Sequence, residues 1–70
     1  MDILYTKHAI EQITERKIPV IWVEEAIKNP SEIMREKDKY QVTKKLNGIS
    51  VEVVYVKKKY IKVITCYLIR

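Results

Sequence analysis

Two hydrophobic periods divide this chain. Up to Pro30 the apolar side chains recur at steps of three and four, and from Ser31 they alternate at every second position. The first spacing lines up one face of a helix, and the second lines up one face of a strand. The helical part splits in two. Thr6 is placed to cap a helix running to about Lys17-Ile18, with Ala9, Ile10 and Ile13 as its stripe and Tyr5 ahead of the cap, packed on Ile10. Pro19 ends that helix, because the residue before a proline avoids the helical conformation, and it suits the start of the next. The second helix runs to about Asn29, before Pro30, on a stripe of Val20, Val23, Ala26 and Ile27. Trp22 flanks this stripe, and Ile21 points away from it among Glu24, Glu25 and Lys28. Met1 to Tyr5 reads either as a short edge strand or as the lead-in to the first helix.

The alternating part predicts strands over Glu32–Glu36, Tyr40–Leu46, Ile49–Val56 and Tyr60–Ile69, separated by Lys37–Lys39, Asn47-Gly48 and Lys57–Lys59. Asn47-Gly48 is the strongest local signal, since a two-residue hairpin turn of this kind needs positive φ twice. It sets Leu46 against Ile49, Lys44 against Val51, Val42 against Val53 and Tyr40 against Tyr55. A three-residue lysine turn then sets Tyr55 against Ile61, Val53 against Val63, Val51 against Thr65 and Ile49 against Tyr67. That face is apolar and is expected to take the helices. Gln41, Thr43, Lys45, Ser50, Glu52, Val54, Lys62, Ile64 and Cys66 fall on the other face. The expected fold class is α+β: two N-terminal helices packed on a three- to four-stranded, mainly antiparallel sheet.

Charge narrows the function. Fourteen Lys and Arg against nine Asp and Glu give a net charge of +5 and a pI near 9.4, which suits a polyanionic partner, nucleic acid first. The single Cys66, in an apolar run, permits no internal disulfide and reads as a packing residue. No cysteine–histidine or carboxylate cluster has metal-ligand spacing, so no metal is expected. One glycine cannot build a phosphate-cradling loop, and no cofactor motif is present. The apolar runs are too short for a signal peptide or a membrane span, so a cytoplasmic chain with no membrane partner is expected.

The remaining reactive groups suit metal-free RNA cleavage, in which a base and an acid move protons and a cation steadies the phosphate. His8, the sole histidine, shares a helix edge with Gln12 and Arg16. His8 and Arg16 lie roughly 12 Å apart along that edge. His8 is the natural proton carrier near neutral pH. Tyr67 offers a hydroxyl on the last strand. Lys44 and Lys45 lie mid-sheet, and Lys44 on the apolar face either snorkels over the core edge or reaches toward the start of helix one. His8, Arg16 and Tyr67 are the candidate catalytic set, expected to converge at one end of the sheet. The plainer alternatives are a polar helix edge, a solvated lysine face and a core aromatic with its hydroxyl at the rim.

Several stretches together resemble a known family. They are Tyr5-Thr6-Lys7-His8-Ala9, Glu15-Arg16-Lys17-Ile18, Val23 to Pro30, Tyr40 with Lys44-Lys45, Val53-Val54-Tyr55 and Ile64-Thr65-Cys66-Tyr67. In order and spacing they are similar to the domain of unknown function 4258, a family placed near the RelE/ParE-like toxins. The resemblance implies that His8, Arg16, Thr65 and Tyr67 match the family's recurring polar positions, which adds Thr65 to Lys44 and Lys45 as a nucleic-acid-binding candidate. The chain departs from the family at Lys17, where glycine is usual, and at Pro19-Val20-Ile21-Trp22, where a polar helix start is usual. The function expected is a RelE-like, metal-free RNA endonuclease of toxin type, with RNA and an antitoxin protein as partners. The alternatives are a non-catalytic nucleic-acid-binding module and a protein-interaction module, the latter a homodimer through Ile21 and Trp22.

Overall fold

The computed structural model describes residues 2–70, and Met1 lies outside the described residues. Strand β1 (Ile3–Tyr5) leads into helices α1 (Lys7–Arg16) and α2 (Val20–Lys28). Strands β2 (Glu32–Glu36), β3 (Lys39–Leu46), β4 (Ile49–Lys57) and β5 (Ile61–Ile69) follow. All five strands form one sheet in the order β1-β5-β4-β3-β2. Neighbours are antiparallel except β1, which runs parallel to β5 with Ile3 beside Ile61 and Tyr5 beside Val63. This corrects the expected three- to four-stranded, mainly antiparallel sheet: the sheet is mixed and five-stranded, because the three residues before the α1 cap become an edge strand. So short a segment carries no readable alternation.

Both helices cover one face of the sheet. Ala9, Ile18, Val23 and Ala26 meet Val42, Val51, Val53, Tyr55, Ile61, Val63 and Cys66 in a single buried cluster. The helix stripes differ from the periodic reading. Ile10 and Val20 stay exposed, and Ile18, just past α1, is buried instead. Tyr5 packs on the core. Lys17 closes α1 in the left-handed region at φ 53° and ψ 46°, its N–H donating to the Ile13 carbonyl. A side chain there costs about 1 kcal/mol relative to glycine.

The β3–β4 register is the one that Asn47-Gly48 predicts, with Val42 beside Val53 and Lys44 beside Val51. The β4–β5 register is not, for two reasons. The strand β4 runs on to Lys57, so the loop is Lys58-Lys59-Tyr60 and Tyr55 meets Val63 rather than Ile61. The strand β5 then carries an extra residue: Val63 pairs with Tyr55 but Thr65 with Val54, leaving Ile64 as a bulge. An inserted residue reverses the faces of everything after it. Cys66 therefore joins the core beside Val53, while Thr65 and Tyr67 turn to the uncovered face beside Val54 and Glu52.

Thr6 ties this bulge to the first helix. Its hydroxyl accepts from the Ala9 N–H at 3.0 Å as the helix cap and donates to the Ile64 carbonyl at 3.0 Å. Its own N–H donates to the Val63 carbonyl at 3.1 Å. We expect Thr6→Val to destabilise the fold by about 1–2 kcal/mol, from the lost cap and the stranded carbonyl. Thr6→Ser should recover most of it. Urea unfolding midpoints check this, and equal midpoints for Val and Ser would refute it.

Three buried acids hold their protons more tightly in the fold than in the open chain. Burial pushes the Cys66 thiol up. The Tyr5 phenol is raised by burial, then by the charge of Glu24 and by Cys66. The Tyr55 phenol is raised by burial, then by Tyr40, on which its ring stacks at 5.0 Å. The unfolded chain releases these protons first, so the stability they carry is complete at neutral pH. It falls as pH rises past the free thiol and phenol values of about 8.5–10. The urea midpoint should therefore drop between about pH 7 and about pH 10.5, and an unchanged midpoint would overturn the assignment.

Candidate functional site

The face of the sheet turned away from the helices is a grid fixed by the strand registers. One row across it reads Glu32, Thr43, Glu52, Tyr67, and the next reads Met34, Gln41, Val54, Thr65. At its centre stands Glu52, only 8% exposed although no helix covers it. Gln41 Nε2 donates to Glu52 Oε1. Tyr67 lies directly opposite Glu52 on β5, and hydrogen bonding toward that carboxylate, then burial and the carboxylate's charge, push the phenol's pKa up. The phenol is thus a proton holder, aimed at an anion. A buried carboxylate is costly unless hydrogen bonds satisfy it. Here neutral donors do so, and no cation pairs with Glu52 among the described residues.

Cations collect at one end of the grid. The Lys57 N–H donates to the Asp38 carbonyl at 2.9 Å, which sets the β2–β3 turn beside the end of β4. This gathers Arg35, Lys37 and Lys39 with Lys57, Lys58, Lys59 and Lys62, all exposed, against Asp2, Glu36 and Asp38. Two shallow grooves open there. One of about 250 Å³ has Val56 and Ile64 with Tyr60, Lys58 and Lys62 around it. The other, about 160 Å³, lies between Met34, Arg35, Glu36, Lys39 and Gln41.

The residues singled out from sequence are divided between the two sides of the sheet. Thr65 and Tyr67 share the uncovered face with Lys45, whose ammonium lies 3.2 Å from Glu32 in an exposed pair of little energetic weight. His8 is exposed on the first turn of α1, and Arg16 on its last turn donates from Nε to Gln12 Oε1 at 2.7 Å. The helix packs on the opposite face, so the structure does not bring His8 and Arg16 to Tyr67. The bulge at Ile64 is the reason: in the unbulged register Tyr67 would have lain under the helices. Lys44 remains on the helix face. Half-buried, it does not reach helix one but carries its ammonium out to the Asn29 carbonyl, to which it donates at 2.9 Å at the end of α2, where a cation favours the helix dipole. Ile21 is 61% exposed, and Trp22 packs partly against the core.

Sequence reasoning passed over Glu52, Gln41 and Thr43. The signal was available for Glu52, a single charge inside the run Val51-Glu52-Val53-Val54 of the central strand. Among the described residues no group of His, Cys, Asp or Glu could hold a metal ion, and no helix is long and apolar enough to cross a membrane.

Neither a curated protein nor a solved structure matches the chain. One family model does, over residues 5–68, which takes in both helices, Thr6, the bulge and the whole Gln41–Glu52–Tyr67 cluster. The chain belongs to that family, the domain of unknown function DUF4258.

Proposed function

We propose that this chain is an RNA-binding module that holds a single strand on the uncovered face of its sheet. The observation that carries the reading is the groove beside Tyr60. Val56 and Ile64 supply an apolar surface, Tyr60 an aromatic ring, and Lys58 and Lys62 two cations. Single-stranded nucleic acid is held by that pairing, in which bases rest on aromatic and apolar surface while ammonium groups track the phosphates. The neighbouring cations Lys39, Lys57 and Lys59 extend the positive surface along the same end.

A second reading, metal-free RNA cleavage of toxin type with an antitoxin partner, is favoured by the Tyr67–Glu52 hydrogen bond. A phenol kept protonated can give a proton to a leaving oxygen, and a carboxylate beside it can take one from a 2′-hydroxyl. His8 and Arg16 have no part in this version, since they lie on the other side of the sheet.

Fluorescence anisotropy with a labelled single-stranded RNA tests the first reading. Affinity should fall steeply with salt, because each neutralised phosphate releases counterions. Lys58→Glu with Lys62→Glu should weaken binding at least about tenfold and flatten the salt slope. Salt-independent binding, or none, would overturn it. The second reading is tested by following RNA length on a gel in the presence of chelator. Cleavage should occur and Tyr67→Phe should slow it by about 10²–10⁴-fold with binding retained. Intact RNA after long incubation would leave the binding module alone standing.

A further inference from the structure

Glu52 is out of place on a face that attracts polyanions. A carboxylate there repels phosphate, and the fold does not use it to hold a lysine. Its contacts are the Gln41 amide, which donates to Oε1, and the Tyr67 hydroxyl. An ionised carboxylate has about four lone-pair sites, so acceptor capacity remains. Thr43 flanks Glu52 directly on β3, and Thr65 and Tyr67 flank it on β5. The charge is thus held among Gln41, Thr43 and Tyr67, and the 8% of Glu52 that stays exposed lies on the uncovered side.

We infer that Glu52, oriented by Gln41 and Tyr67, is a recognition subsite for a guanine base of the bound strand. A carboxylate only accepts hydrogen bonds, so it selects bases by the donors on their edges. Guanine alone presents two adjacent donors, N1–H and the 2-amino group, at the spacing of two carboxylate oxygens. Adenine and cytosine set a ring-nitrogen acceptor beside their amino group, and uracil sets its one N–H between two carbonyls. Each of these turns a lone pair toward the negative charge. The guanine O6, next to N1–H, needs a donor, and Thr43 beside Glu52, with Gln41 and Thr65 in the next row of the same face, carry groups that can donate. The subsite is four residues along β4 from Val56 in the lysine-rimmed groove, about 13 Å at the strand rise. A short oligonucleotide can therefore place one base over Glu52 while its backbone reaches Lys58 and Lys62.

The inference rests on the RNA-binding reading, and one set of ligands separates the two. Uridine hexamers carrying a single central guanosine, adenosine, cytidine or inosine are titrated by anisotropy. The guanosine oligomer should bind roughly 5- to 150-fold more tightly than the adenosine and cytidine ones, the span of one good bidentate base contact. Inosine, which lacks the 2-amino group, should lose most of that preference on the wild-type protein. Glu52→Gln, which replaces an acceptor by a donor, should bring the guanosine-to-cytidine ratio toward one. Binding of every oligomer with equal affinity, or guanosine and inosine binding alike, overturns the guanine subsite and leaves RNA binding intact. No binding of any oligomer overturns both. A guanosine preference that survives in folded Glu52→Gln assigns the contact to other residues. If that variant fails to fold, the inosine comparison decides alone.

Discussion

The hydroxyl of Thr6 holds together the two features on which the rest of this structure depends. It accepts from the first turn of α1 and donates to the carbonyl of Ile64. Ile64 is the extra residue of β5, and a bulge leaves backbone groups outside the ladder that need partners elsewhere. One side chain therefore starts the helix and completes the backbone hydrogen bonding of the bulge. The bulge in turn assigns the faces of β5. With it, Cys66 fills the core and Tyr67 meets Glu52. Without it, Cys66 would have faced outward and Tyr67 would have been pressed under α1. The polar cluster on the uncovered face exists because of one inserted residue and the hydroxyl that satisfies it.

What the sequence made legible follows from where local chemistry is decisive. Asn47-Gly48 admits one short turn, so the β3–β4 register could be written to the residue. Pro19 and Pro30 bounded the second helix for equally local reasons. The β4–β5 connection has no glycine or proline, so its lysines fit more than one loop placement. The bulge leaves no mark in the alternation until the partner strand is known. The strand β1 is defined only by pairing with a strand 58 residues further on, which no local pattern encodes. The candidate site failed at the same point as the register. Tyr67 was placed with the helices by counting in twos across a residue that breaks the count. Glu52 and Gln41, by contrast, had been put on the right face and overlooked for their chemistry.

The two faces of the sheet carry their charges differently. On the helix side the one mid-sheet cation, Lys44, is spent on the end of α2. On the uncovered side the lysines are exposed at one end, and Glu52 is held by the neutral Gln41 amide. Lys17 is a further case at a backbone position: the chain holds a left-handed lysine at the α1–α2 junction, and its charge is exposed.

The parallel pairing of β1 with β5 also orders events during synthesis. Strand β1 leaves the ribosome well before its partner β5. Helix α1 rests on β5 and is capped through Val63 and Ile64, so it has no surface to settle on until Tyr67 and its neighbours have been translated. The β3–β4 hairpin can close on its own short turn well before that. Until β5 is made, the Ala9 and Ile13 side of α1 lacks the surface that buries it in the fold. Pairing β1 with β5 closes a loop of 58 residues from Ile3 to Ile61, and the entropy cost of such a closure precedes its reward.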